Sequence, residues 1–117
     1  MSEITIARIY DDNAGGYRVL LDRLWPRGIS KEDADLDRWA KDVAPSDDLR
    51  TWFHNGGDYS EFAKRYRAEL KDNEAFDDFA ATLAEQKNIV LLTASKDPEQ
   101  SHLSVMKKIL SSRGTKS

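Results

Sequence analysis

Hydrophobic and polar positions change period three times along this chain. Ile4-Thr5-Ile6-Ala7-Arg8-Ile9-Tyr10 is rich in β-branched and aromatic residues and predicts a strand; Tyr17-Arg18-Val19-Leu20-Leu21-Asp22 predicts a second. Asp11-Asp12-Asn13-Ala14-Gly15-Gly16 between them has the small polar residues of a turn. A hairpin is the first expectation, although a connection of this length also lets two strands part. From 30 to 87 the period is helical. Leu36, Trp39, Ala40 and Val43 fall at i, i+3, i+4 and i+7 behind Asp35, a plausible cap. Ser46 before Asp47-Asp48 starts a helix with Leu49, Trp52 and Phe53 inward, and His54-Asn55-Gly56-Gly57 ends it. Asp58 and Glu61 have capping-box spacing ahead of Phe62, Tyr66 and Leu70, and Asn73 opens a helix burying Phe76, Phe79, Ala80 and Leu83.

The period then changes again. Ile89-Val90-Leu91-Leu92-Thr93 is continuous rather than alternating, as in a strand covered on both faces at the centre of an α/β sheet. Asp97-Pro98-Glu99-Gln100 combines a cap, a proline at the first helical position and a box residue. Leu103, Met106 and Leu110, with Ile109 beside them, line the helix it predicts. Ser111 to Ser117 lose all periodicity and are expected to fray. The whole reads as an α/β domain: a small, mainly parallel or mixed sheet of about three strands, helices packed on it, and a helical middle segment.

Length and charge narrow this further. The chain's 117 residues make one domain, 1–117, with an ordered core over about 3–111. A chain of this mass buries roughly two-thirds of its surface, enough for one core. The longest apolar run, 89–92, is far below the ~20 residues of a membrane span. Met1-Ser2-Glu3 has neither a basic start nor an apolar stretch to make a secretory signal. The absence of cysteine removes disulfides, thiol nucleophiles and thiolate metal sites and fits a cytoplasmic protein. A net charge of −3 argues against nonspecific nucleic-acid binding.

Two loops carry candidate chemistry. In Asp22-Arg23-Leu24-Trp25-Pro26-Arg27-Gly28, Trp-Pro makes a stiff bend, and Arg27-Gly28 offers a guanidinium beside bare backbone. A structural ion-pair network with Trp25 plugging the core fits these residues about as well. In Thr93-Ala94-Ser95-Lys96-Asp97-Pro98, hydroxyls and an ammonium precede a helix start, a place suited to anions, although Asp97 can occupy the N–H groups itself. If the strands before them run parallel, both loops leave one edge of the sheet, where open α/β sheets bind ligands. A phosphate or carboxylate would then lie among Arg23, Arg27, Gly28, Ser95 and Lys96, with Arg50 closing from the helical layer. Asp22 is a candidate to orient an arginine, and His102, near the start of the last helix, is a candidate acid or base. His54 fits a helix-end cap better. Two isolated histidines give no metal-ligand spacing, and no cofactor motif is present.

Asp22-Arg23-Leu24-Trp25-Pro26-Arg27-Gly28, Lys41 with Ala44-Pro45-Ser46, Leu49-Arg50 with Trp52-Phe53, Arg65-Tyr66 with Glu69-Leu70, and Leu91-Leu92-Thr93-Ala94-Ser95-Lys96-Asp97 follow in that order. Together they resemble the YeaO-like family of small bacterial proteins, a domain-of-unknown-function family, over nearly the whole chain. The resemblance brings no established activity. More distant members look as if they carry cysteine near the last strand; this chain has Thr93-Ala94-Ser95 there, so no cysteine mechanism transfers. Two main functions fit: a cytoplasmic enzyme acting on a small anionic metabolite or nucleotide, or a noncatalytic binding or regulatory module. The second predicts an exposed apolar patch near Trp25 or Trp52. A nucleic-acid factor ranks third.

Overall fold

The computed structural model describes residues 3–11 and 15–114. Four parallel strands form one sheet: β1 (Glu3–Arg8), β2 (Tyr17–Leu20), β3 (Arg38–Trp39) and β4 (Asn88–Thr93), in the spatial order β1-β4-β2-β3. The α/β class is as the apolar pattern predicts, with one strand more than expected. β4 is the central strand its unbroken apolar run implies, and Ile89 to Thr93 are all buried. It pairs Glu3–Arg8 on one side (Arg8 opposite Thr93) and Tyr17–Leu20 on the other (Leu20 opposite Leu92).

The hairpin does not form. β1 and β2 run in the same direction with β4 between them. Gly16 (φ 135°) stands just before β2, and a Cβ there would lie 3.1 Å from the Asn88 carbonyl oxygen. The turn residues Asp12, Asn13 and Ala14 fall outside the described residues.

The expected helix across Leu36–Val43 is replaced by three shorter pieces. Ser30 caps α1 (Lys31–Ala34), accepting from Asp33 N, and Asp35 ends it in the left-handed region at φ 47° rather than starting a helix. β3 follows, then a 3₁₀ turn over Lys41–Val43. The cause lies in the packing. Leu36 and Trp39 pack on one face of the sheet, whereas Ala40 and Val43 belong to the core on the other. No single helix stripe serves both faces, and the ladder to β2 takes the segment instead, with Val19 opposite Arg38 and Leu20 opposite Trp39.

Helices α2 (Asp47–His54), α3 (Tyr59–Lys71), α4 (Glu74–Ala84) and α5 (His102–Gly114) complete the chain. Ser46, Asp58 and Asn73 cap α2, α3 and α4 as their spacing predicts. Asp97 caps only a 3₁₀ turn, Pro98–Gln100; α5 begins after it, where Ser101 Oγ accepts from Leu103 N at 3.1 Å. Ser111 to Gly114, expected to fray, continue α5, and Thr115-Lys116-Ser117 lie outside the described residues. Phe62, Tyr66, Phe79, Leu83, Leu103 and Met106 from the helices cover Val19, Leu21, Ile89 and Leu91. The opposite face, with Leu20, Val90 and Leu92, is closed by α1 and the loop carrying Trp25. Among the described residues no helix is long and apolar enough to cross a membrane.

Candidate functional site at the carboxyl edge of the sheet

Because β2 and β4 are parallel neighbours, Asp22 and Thr93-Ala94 leave the sheet side by side. Asp22 is held from several directions. Its Oδ1 accepts from Thr93 Oγ1 at 2.7 Å, its Oδ2 accepts from Ala94 N at 2.8 Å, and His102 Nε2 lies 3.1 Å from Oδ1. The same His102 nitrogen is hydrogen-bonded to the Leu21 carbonyl. A carbonyl only accepts, so Nε2 carries a proton. Ser101, by starting α5 where it does, puts this imidazole at the first helical position, facing the end of β2.

Burial pushes the Asp22 carboxyl pKa up. The hydrogen bond and charge of His102, the Ala94 N–H and the Thr93 hydroxyl outweigh that and carry it below the ordinary 3.8. The Asp22 backbone is engaged as well, its carbonyl accepting from Trp39 Nε1 at 2.7 Å. The two candidate catalytic residues of the sequence therefore meet, within a knot that ties β2, β4, β3 and α5 together.

Arg23 turns toward the helical layer. Its Nε donates to the Pro45 carbonyl at 2.7 Å and its Nη2 to the Ala44 carbonyl at 3.1 Å. Val43, one residue earlier, accepts from the buried Tyr66 hydroxyl at 2.6 Å, and Glu69 accepts from both Ser46 N and Ser46 Oγ. Burial raises the Tyr66 pKa well above its usual value. Residues 43–46 are thus clamped from two directions. Arg50, on the exposed side of α2, pairs with Asp47 at 3.4 Å, and among the described residues no hydrogen bond or ion pair joins it to either loop.

Beyond the knot the loop changes character. Trp25 Nε1 donates to Ile29 O at 2.7 Å, and the ring stands edge-on to Trp39 at 5.2 Å. Gly28 sits at φ 76°, a backbone conformation that L side chains rarely adopt, and turns the chain back toward α1. Arg27 accepts through its carbonyl from Tyr10 Oη at 3.0 Å, while its exposed side chain makes no hydrogen bond or ion pair among the described residues. The same holds for the exposed side chains of Ser95 and Lys96, although Ser95 N donates to Thr93 Oγ1 at 3.2 Å. Asp22 joins the end of β2 to β4, and Tyr10 follows β1 on the far side of β4. The 22–28 loop therefore passes over the carboxyl end of β4, the strand that leads into Ser95 and Lys96.

Two residues absent from the sequence candidates belong to this rim. Arg8 ends β1 opposite Thr93, and its guanidinium lies 4.9 Å from the centre of the Tyr10 ring. It pairs with Asp11 at 3.5 Å, but its Nε is buried with no acceptor among the described residues, a state costing about 1–3 kcal/mol. Tyr10, 42% exposed, and Leu24, 61% exposed, are the exposed large hydrophobic residues of the described chain. All three tryptophans are half-buried. Only the parallel register brings Arg8 and Tyr10 to the 22–28 loop, so periodicity alone gave no signal for them. Among the described residues, no three His, Asp or Glu side chains converge as metal ligands.

Fold and site together define a parallel α/β domain with a loop-built rim at the carboxyl edge, its inner carboxylate bonded to its own chain. Residues 3–117 match the family described as the inactive DUF488-N3 subclade, and the chain belongs to that YeaO-like family of unknown function. It is 42% identical to the uncharacterized protein YeaO of Escherichia coli K12 over 106 residues, 88% of this chain and 92% of that one. It is 38% identical over 115 residues to uncharacterized proteins of Mycobacterium tuberculosis and Mycobacterium bovis, covering 96% of this chain and 97% of each. No solved structure matches it.

Proposed function

We propose that this protein is a noncatalytic module that binds a small anion, a phosphate or carboxylate, at the outer rim formed by Arg27, Gly28, Ser95 and Lys96. The observation that carries the reading is the division of labour at the sheet edge. Asp22, His102 and Arg23 spend their hydrogen bonds on the fold, whereas the side chains of Arg27, Ser95 and Lys96 are exposed and make no hydrogen bond or ion pair among the described residues. Two cations, a hydroxyl and a glycine turn are the groups an oxyanion calls for. Arg50, paired with Asp47 on α2, is not needed for this reading. The description of the family as inactive supports binding without turnover. A chain free of cysteine suits the cytoplasm, where such ligands are abundant.

Calorimetric titration with inorganic phosphate at fixed ionic strength tests the reading. Binding to the unaltered protein, lost in Arg27→Ala, is the expected result; an affinity unchanged by that substitution contradicts it.

A second reading keeps the Asp22–His102 contact as an acid–base pair acting on the same anion. It rests on the 3.1 Å approach of the two groups and on an imidazole whose Nδ1 has no hydrogen bond among the described residues. It requires His102→Gln to abolish a turnover while leaving anion affinity intact.

A further inference from the structure

We infer that the rim selects an anion carried on a planar aromatic ring, such as a nucleoside monophosphate, with Tyr10 as the stacking platform and Arg8 as a third cation. This deepens the anion-binding reading and rests on it. Tyr10 is held at its hydroxyl, which is tied to the Arg27 carbonyl at 3.0 Å, and on one face, over which the Arg8 guanidinium lies 4.9 Å from the ring centre. The side chain is nonetheless 42% exposed. A ring fixed at its hydroxyl and backed by a cation loses little freedom when a second aromatic plane stacks on it. The same hydrogen bond places this ring next to the Arg27 backbone, within the reach of a ligand held by the Arg27 side chain. Leu24, 61% exposed on the same loop, adds apolar surface where a polar loop tip is the norm.

Arg8 supplies the independent observation. Its Nε is buried with no acceptor among the described residues, and its Nη1 makes only a 3.5 Å contact with an Asp11 side chain that is 69% exposed. That Nη1 end is open to exchange the Asp11 carboxylate for a ligand phosphate. Asp11 then acts as a competitor for the site.

The full chain is titrated with inorganic phosphate, ribose 5-phosphate and adenosine 5′-monophosphate at constant ionic strength. The adenosine compound is expected to bind roughly tenfold more tightly than ribose 5-phosphate, the size of one stacked ring. Tyr10→Leu abolishes that preference, and Tyr10→Phe, which keeps the ring but loses the bond to Arg27 that holds it, retains only part of it. Arg8→Met weakens all three ligands, and Asp11→Asn tightens them. Equal binding of ribose 5-phosphate and adenosine 5′-monophosphate, or a preference that survives Tyr10→Leu, overturns this inference while leaving the anion site standing. Failure of inorganic phosphate and both esters to bind overturns the anion site itself.

Discussion

The inner and outer halves of the sheet edge use the same residue types to opposite ends. Inside, the Asp22 carboxylate takes a hydroxyl, a backbone N–H and an imidazole, and the Arg23 guanidinium takes two backbone carbonyls. Outside, Arg27 and Lys96 extend into solvent with no such partners among the described residues. The side chains of Asp22 and His102 are only 17% and 12% exposed, so an unpaired charge there would be costly, while at the rim water satisfies it. A charged residue at a strand end is therefore not by itself a sign of ligand binding. What separates scaffold from site is whether the chain supplies the partner.

That contrast is broken most severely at Asp22. Asp22→Ala leaves the Ala94 N–H and the Thr93 hydroxyl without their acceptor and strips the carboxylate from beside His102, and unfolding in urea should show a loss of about 2–4 kcal/mol. The knot also has a pH signature. Because the folded Asp22 pKa lies below 3.8, its contribution is complete above that value and is lost as pH falls through the depressed folded pKa. Acid titration of stability should show this component in the unaltered protein and not in Asp22→Ala.

Arg23→Met removes two charge-assisted bonds from the 43–46 segment and should cost about 1.5–3 kcal/mol in the same measurement. Tyr66→Phe leaves the Val43 carbonyl without its buried donor, a loss of about 1–2 kcal/mol. At the rim the expected stability change is smallest. Arg27→Ala should move stability by less than about 0.5 kcal/mol, because the Tyr10 bond is to the Arg27 backbone. Its effect should appear instead as loss of phosphate-dependent stabilisation in a thermal melt.

Much of this architecture was legible in local patterns. The apolar run of β4, the caps at Ser46, Asp58 and Asn73, and the inward faces of α3 and α4 all follow from nearest-neighbour rules. Periodicity misleads where long-range pairing overrides it. Leu36, Trp39, Ala40 and Val43 carry a helical spacing but divide between the two faces of the sheet, and pairing with β2 decides their conformation. The hairpin failed for a related reason, since β4, distant in sequence, pairs with β1 on one side and β2 on the other.

At the candidate site, the proximity of the Asp22 and Thr93 loops follows from parallel strands. The direction of each side chain does not. Arg23 and Arg27, four residues apart in one motif, differ because Ala44 and Pro45 lie within reach of the first. Arg8 and Tyr10 entered the rim through register, which composition does not encode.

The most direct test compares Asp22→Asn with the double variant Arg27→Ala/Lys96→Ala by urea unfolding, with and without phosphate at matched ionic strength. Asp22→Asn should unfold at clearly lower urea yet still gain stability from phosphate. The double variant should keep the unaltered midpoint and gain nothing. A double variant as destabilised as Asp22→Asn, or one that phosphate stabilises as fully as the unaltered protein, would contradict the account.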